Sequence, residues 1–276
     1  MGSPYYLDDY EITDIDAAIC IEQNNTEKYQ MIKEAYRQEI YAHYLGQKID
    51  SESFIQSLNQ EQFNRQFQAW WGDILPLDQN GPILDLGCGW GGFLAFLQAK
   101  GFTNLAGVDS SAQQVEIAHR LGLERVEVGD VFAALGKYRN HYACISAFNV
   151  LEHLDKEQVL PFLKEALAAL RPGGCLLLEL PNANSPFGSR TRYWDFTHEL
   201  SFTPTSLIQI LQVVGFTNVQ LRERCPVVHG VKSWVRSLLW QLIRQGLSFY
   251  LMVEQGSAGY RIFTQDMHAI AWKQTD

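Results

Sequence analysis

Residues 84–92 read Leu-Asp-Leu-Gly-Cys-Gly-Trp-Gly-Gly, an apolar run that breaks into a turn with glycine at 87, 89, 91 and 92. Glycines at such a turn let the chain swing from a strand into a helix and let a ligand approach the main chain without meeting a Cβ atom. A strand that feeds a helix is the opening unit of a parallel sheet, because parallel neighbours need a crossover. The chain then repeats the alternation. Apolar runs at 82–87, 104–109, 125–130, 142–148 and 174–181 read as strands, with helical patterns at 91–100, 112–121 and 157–170 between them. The third helix has Asp155 and Gln158 in capping-box spacing and stops at Arg-Pro-Gly-Gly, residues 171–174. A fourth, 204–214, follows Thr203 with Pro204 in its first turn, and 217–224 and 260–273 read as two late strands. The expectation is an α/β chain built on a seven-stranded, mainly parallel, doubly wound sheet with helices on both faces.

Residues 1–80 carry a different pattern. Apolar residues at helical intervals over 26–45 and 51–75 predict two or three helices, a cap or lid across the sheet's open edge, with residues 81–276 as the sheet domain. A formal net charge of −9 excludes the broad basic surface that a general nucleic-acid binder needs. The five cysteines include no Cys-x-x-Cys pair, so neither a disulfide framework nor a zinc knuckle is expected, and a reducing cytoplasm fits. The acidic stretch 1–16 lacks a basic and apolar leader, and no run of about 18 apolar residues follows, so neither export nor a membrane span is expected.

The glycine turn alone admits two ligands. Gly87, Gly89 and Gly92 satisfy the G-x-G-x-x-G dinucleotide pattern. Three acids at strand ends separate the readings. Asp85, two residues before Gly87, is a buried carboxylate that needs a partner, and a cationic amino-acid moiety suits it where a pyrophosphate would be repelled. Asp109, in Gly-Val-Asp-Ser-Ser, stands where a carboxylate accepts both hydroxyls of a ribose, with Ser110 beside it. Asp130, in Val-Glu-Val-Gly-Asp-Val-Phe, stands where it accepts from an exocyclic adenine amine, with Val131 against the ring.

The blocks ILDLGCGWGGFL, GVDSS, VEVGDVF, FNVLEHL and LRPGG, in this order and spacing, resemble the class I S-adenosylmethionine-dependent methyltransferases over about residues 80–225. The resemblance implies a Rossmann-like fold with S-adenosyl-L-methionine as cofactor. It implies that Asp85, Gly87, Cys88, Gly89 and Gly91 line the methionine end, Asp109 and Ser110 the ribose, and Asp130 with Val131 the adenine. Asn149 borders the reactive methyl, and Arg65 reaches the cofactor carboxylate, as an N-terminal arginine does in some sugar-chain methyltransferases.

The acceptor side turns on histidines, the side chains best poised to take a proton near neutral pH. His119, His141, His43 and His268 fall in surface, helical or strand patterns where packing or exposure suffices. His153 follows the fourth strand at its carboxyl end, beside the ligand crevice of an open sheet. Asn149, Glu152 and His153 also fit a cation site by residue type, but Asn149 is neutral and hard cations prefer carboxylates, so no metal is expected. His198 lies in SRTRYWDFTHELSFTP, a long loop rich in Arg, Trp, Tyr, Asp and His. With LPNANSPFG before it, this segment resembles the acceptor block of methyltransferases of polysaccharide and lipopolysaccharide biosynthesis, with Phe196 where proline is more frequent. Asp195 and His198 are therefore expected to bind the acceptor or remove its proton, with Tyr193 and Trp194 shaping the wall. An O-methyltransferase acting on a sugar hydroxyl is the expected activity. The alternatives are a small aromatic or quinone-like acceptor, a binding protein without turnover, and a nicotinamide enzyme.

Residues 226–253 contain no acid, while Lys232, Arg236 and Arg244 are basic and apolar residues from Val231 to Leu247 recur at helical spacing. This insertion, about 226–258, predicts an amphipathic helix over 230–247 that packs on its own sheet, on a second copy of the chain, or on a membrane surface.

Overall fold

The computed structural model describes residues 28–29, 31–33, 35–37, 39–40, 51–257 and 259–275. The chain divides into two compact units, Met1–Tyr44 and Leu45–Asp276. In the first, residues 28–29, 31–33, 35–37 and 39–40 are helical. The acidic stretch 1–16, Cys20, His43 and the remainder of the predicted helix over 26–45 lie outside the described residues.

The second unit begins with α1 (Ser51–Ser57) and α2 (Gln60–Trp71), then β1 (Ile83–Leu86), α3 (Gly92–Ala99), β2 (Leu105–Asp109), α4 (Ala112–Arg120) and β3 (Val126–Val128). It continues with α5 (Val131–Gly136), β4 (Tyr142–Phe148), a 3-10 turn (Leu151–His153), α6 (Lys156–Ala169) and β5 (Leu170–Pro181). Then come α7 (Gly188–Arg192), α8 (Pro204–Val214), β6 (Thr217–Glu223), α9 (Val231–Gln255) and β7 (Asp266–Trp272). The strands form one seven-stranded sheet in the order β3-β2-β1-β4-β5-β7-β6. The first five strands pair in parallel, and β7 runs antiparallel between β5 and β6. The sheet is thus the doubly wound, mainly parallel one that the alternation predicts.

Two apolar layers sandwich it. One face packs Leu84, Leu86, Ile145, Leu176 and Leu178 against Phe162, Leu163 and Leu207 of α6 and α8. The other packs Ile83, Cys144, Leu177 and Ile270 against Phe93, Phe96 and Leu97 of α3. The predicted caps hold: Asp155 and Gln158 close a capping box on α6, and Thr203 with Ser206 does so on α8, where Pro204 fills the first turn.

The expected placement of the N-terminal helices needs correction. α2 lies on the second sheet face, not across an open edge. Trp71 is fully buried, with its ring stacked on Phe148 at 5.0 Å and tilted over His268 at 4.4 Å. Phe67 meets Phe93 and Phe96 at 5.4 and 5.7 Å. Two aromatic rings on one helix face remove far more apolar surface from water on a sheet than along an edge, and burial is the larger driving force.

Other boundaries move for local reasons. β3 ends at Val128, so Asp130 belongs to the next helix: its side chain accepts from the Ala133 N–H at 2.9 Å and caps α5, a helix the sequence reading leaves out. β5 starts at Leu170 and runs through the Arg-Pro-Gly-Gly segment expected to be a turn, pairing Leu170 with Tyr142 before the register shifts. β7 starts at Asp266 and not at 260, because the carbonyls of Ile262 and Thr264 accept from the Asn182 side chain.

Candidate functional site

The candidate site residues line up along the carboxyl edge of the parallel strands in sheet order: Asp130 after β3, Asp109 ending β2, the glycine turn after β1, Asn149 after β4, and the segment 182–203 after β5. Strand ends in an open parallel sheet form the crevice where such folds hold ligands.

The first half is built around Asp109. Its two carboxylate oxygens accept from the Gly89 N–H and the Ser111 N–H, both at 2.8 Å, so one side chain ties the glycine turn to the start of α4. Burial raises its pKa, and the two N–H groups oppose that by stabilising the anion. Ser110 lies between the two tied segments. Cys88 is buried, and its N–H donates to the Val108 carbonyl. Burial drives the Cys88 thiol well above its ordinary value, with Asp85 and Asp109 adding to the effect, so it stays protonated.

Gly87, Gly89 and Gly91 all have positive φ, but two of them serve different ends. A Cβ on Gly91 would meet Leu123 Cδ1 at 2.3 Å, so this position is closed by packing against the end of α4. A Cβ on Gly89 would meet nothing nearer than Gln114 Oε1 at 3.8 Å, and that oxygen is buried without a partner. An open main-chain cradle beside an unpaired acceptor fits an adenosyl amino acid. Trp90, between them, is met edge-on by Phe54 of α1 and Phe63 of α2 at 6.1 and 5.1 Å.

Asp85 has a partner within the chain. It pairs in register with Ser146 of β4, whose hydroxyl donates to Asp85 Oδ1 at 2.6 Å. Burial pushes its carboxyl up to about 7, against the Ser146 bond and with help from Asp109. A neighbouring hydroxyl is thus the partner that the chain itself supplies to Oδ1. Val131 opens α5, and Arg65 lies on α2, ion-paired with Glu61 one turn earlier.

The second half gathers residues far apart in sequence. His153 Nδ1 lies 2.8 Å from Thr197 Oγ1, whose own proton goes to Asp195 Oδ1 at 2.7 Å. The Thr197 hydroxyl therefore accepts from His153 Nδ1–H, leaving Nε2 with a lone pair in the neutral ring. His198 Nδ1 lies 3.0 Å from the Thr191 carbonyl, which can only accept, so in the neutral ring its Nε2 carries the lone pair. The two imidazoles stand edge to face with centroids 4.7 Å apart. Arg192 fastens the loop by donating to the carbonyls of His198 and Glu199. Burial pushes the Asp195 carboxyl up, but two bonds from Thr197 and the two imidazoles outweigh it and hold the group below its ordinary range. Tyr193 and Trp194, expected as pocket walls, are 78% and 72% exposed and sit under the guanidinium groups of Arg192 and Arg190.

Three features escaped the sequence reading. Glu152 is fully buried and neither carboxylate oxygen has a hydrogen-bond partner, which drives its pKa well upward. Its ligand atom lies within 4.8 Å of those of His153 and His198. Asn149, at φ 55°, donates its N–H to the Glu179 carbonyl at 2.8 Å, and the Glu179 side chain pairs with buried His268 at 2.8 Å and with Arg224 at 3.3 Å. His268, expected merely to pack, thus anchors the residue beneath Asn149. An acid inside the apolar run LLLELP was the available signal for that network.

No curated protein matches the chain. Among solved structures, a SAM-dependent methyltransferase from Archaeoglobus fulgidus superposes with a TM-score of 0.58 at 21% identity, covering 78% of this chain and 95% of that one. An S-adenosylmethionine-dependent methyltransferase from Mesorhizobium loti gives 0.53 at 14%, covering 75% and 97%. Phosphoethanolamine N-methyltransferase 2 of Haemonchus contortus, in complex with S-adenosyl-L-methionine, gives 0.50 at 16%, covering 76% and 52%. Residues 52–221, more than half of the chain, match the methyltransferase domain family. With an open glycine cradle, acids at successive strand ends and that match over the same residues, the chain belongs to the S-adenosylmethionine-dependent methyltransferases.

Proposed function

We infer that the acceptor is a hydroxyl, and that it belongs to a sugar of a glycan or glycolipid precursor. The observation that carries this reading is the pair of imidazoles, His153 and His198, each held through Nδ1, on the same sheet edge as the glycine cradle. S-adenosylmethionine supplies a methyl group on a sulfonium, and the chain's own task is to set the acceptor oxygen in line with it. In this reading Asp109 takes the ribose hydroxyls on the lone pairs that Gly89 and Ser111 leave, with Ser110 alongside. Asp130 and Val131 take the adenine, and Asp85, Gly87, Cys88, Gly89 and Arg65 surround the methionine end, with Gly91 setting the turn behind them. Asn149 borders the methyl. His198 Nε2 accepts the hydroxyl proton as the new O–C bond forms, and the Thr191 carbonyl stabilises the resulting imidazolium through Nδ1–H. Asp195 does the same for His153 through Thr197. Arginine and aromatic side chains on the loop that carries His198 suit a sugar, whose hydroxyls take hydrogen bonds and whose C–H faces pack on rings. The test is transfer of labelled methyl by the purified chain to sugar nucleotides, lipid-linked sugars, catechols and amines. Label on sugar hydroxyls is expected. Label on catechols alone gives the small-aromatic reading, label on amines alone overturns the hydroxyl, and cofactor binding without transfer to any class marks a binding protein.

The outward face of α9 bears on where the acceptor sits. Trp234, Leu238, Leu242, Phe249 and Val253 are exposed on one side of the helix, and the opposite side, from Ser233 to Leu251, meets the protein body. Lys232 and Arg236 are exposed at the rim, and residues 226–253 carry no acid in a chain of net charge −9. An anionic bilayer surface complements an apolar face with a basic rim. Among the described residues no helix is long and apolar enough to cross a membrane, so the contact proposed is peripheral, at the cytoplasmic face. Co-sedimentation with phosphatidylglycerol vesicles, lost in Trp234→Glu/Leu238→Glu, is expected. A homodimer by light scattering that this double variant disrupts, with no vesicle binding, overturns the proposal.

A further inference from the structure

We propose that the exposed pair Arg190 and Trp194 forms a second subsite for the acceptor, one that takes a carboxylate or phosphate borne on a sugar ring, so that the acceptor is an acidic saccharide. The inference rests on the reading of the loop 182–203 as the acceptor side, and it narrows that reading from a sugar to a charged one. The reactive hydroxyl stays with His198, and the anionic group is held by residues just before it in the same loop.

Three observations carry it, of which the first is charge. Between Asn182 and Trp194 the loop holds Arg190 and Arg192 and no acid, in a chain of net charge −9. Arg192 is used within the fold, where it donates to the carbonyls of His198 and Glu199. Arg190 is exposed, and among the described residues its guanidinium makes no hydrogen bond or ion pair, only a contact with the Trp194 ring at 5.3 Å. Asp195, the nearest acid in sequence, is turned instead to Thr197 and the imidazoles. A planar fork of free donors suits two parallel bonds to a carboxylate or a phosphate.

The second is the surface beside that fork. Phe187, Tyr193, Trp194 and Phe196 are all exposed, Phe196 to 92%, although they fall within a short stretch of one loop. A guanidinium laid on an exposed ring stabilises a fold little, so folding alone leaves these rings unexplained. The C–H faces of sugar rings pack on such surfaces. The third is attachment. Arg192 meets the Tyr193 ring at 5.2 Å while it clamps the main chain at His198 and Glu199, and the Thr191 carbonyl, next to Arg190, lies 3.0 Å from His198 Nδ1. The platform is therefore tied to the ring that faces the reactive hydroxyl, as a subsite must be if it is to orient a second part of the same molecule. A guanidinium already held against an indole also has less freedom to lose when the anion arrives.

The test uses the full chain saturated with S-adenosylhomocysteine. It is applied to a glycan array with three arms: neutral oligosaccharides, the same backbones bearing uronate, and the same backbones bearing phosphate. Calorimetry then gives affinities for the glycans that bind. Binding confined to one or both acidic arms, weakening as sodium chloride is raised, is expected, and the two arms tell carboxylate from phosphate. Arg190→Gln should weaken it about 10-fold and Trp194→Ala about 5-fold. Arg190→Lys should fall between wild type and Arg190→Gln, because an ammonium keeps the charge and loses the fork. Unchanged affinity for S-adenosylhomocysteine shows that the variants are folded. Equal binding to neutral and acidic arms, equal binding by wild type and Arg190→Gln, or no binding to any acidic glycan overturns the subsite. Vesicle binding that Arg190→Gln abolishes, with no glycan bound, gives the loop to the bilayer and overturns it too. Methylation of neutral sugar hydroxyls at a rate that Arg190→Gln leaves unchanged sinks the subsite and leaves the hydroxyl reading standing. Acidic glycans bound by the wild type and lost in Arg190→Gln, with methyl transfer only to amines, do the reverse.

Discussion

The two halves of the site are built by opposite means. Around Asp109 the parts lie within about two dozen residues, and main-chain N–H groups do the holding: Gly89 and Ser111 each donate to one carboxylate oxygen. Around His198 the parts come from the turn after β4 and the loop after β5, and side chains do the holding, through Thr197, Asp195 and Arg192. A cradle of main-chain groups presents the same chemistry whatever the neighbouring side chains become. A chamber of side chains can be rebuilt residue by residue. The contrast suits a family in which one methyl donor meets many acceptors.

Four substitutions would sharpen or break that contrast. His198→Ala should lower kcat by about 1,000-fold while leaving S-adenosylhomocysteine affinity unchanged, because the ring is reserved for the acceptor half. Comparable losses in both would join the halves. Asp85→Asn probes the donor half through pH. The wild-type carboxyl is held near 7 in the fold against an ordinary 3.8, so the folded state binds the proton more tightly and wild-type stability falls as pH rises between those values. The amide has no proton to lose, so the variant should gain on the wild type across that window, by up to about 4 kcal/mol at pH 8. Urea denaturation from pH 4 to 8 measures it, and parallel curves would refute it.

Asp109→Ala should weaken S-adenosylhomocysteine binding by about 100-fold by calorimetry, since it removes charge-assisted bonds and unties the turn. Gly91→Ala should leave cofactor chemistry in place yet destabilise the fold by about 2 kcal/mol, because the backbone is left-handed and Leu123 occupies the space a Cβ needs. A larger effect on affinity than on stability would make Gly91 a ligand contact.

Legibility in the sequence follows the same division. Strand order of appearance, the glycine turn and the acid ending β2 are local signals, with period and punctuation fixed by residues a few positions apart, and they read correctly. Asp130 was legible as an acid after a strand, but its capping of α5 was not, since a helix of six residues leaves too short a pattern. Glu152 read only as a candidate cation ligand beside Asn149 and His153, a reading set aside for the neutral Asn149. That its carboxylate is buried, unpartnered and close to His198 depends on how the loop 182–203 returns across β4, which no spacing encodes. Trp70 and Trp71 read as helix residues, and only the folded sheet shows that Trp71 covers His268 and Phe148.

The placement of β7 has a consequence for biosynthesis. It is the last strand of the sheet to leave the ribosome, yet it lies between β5 and β6. Until it arrives, β6 has no neighbour, and β5 presents an unpaired hydrogen-bonding edge rich in leucine to every other nascent chain nearby. Nucleation can begin with the parallel strands while translation continues, but closure must wait for residues 266–272, after the 25-residue α9 has been made. The time for which that edge stays open during synthesis is therefore set by the length of chain between β6 and β7.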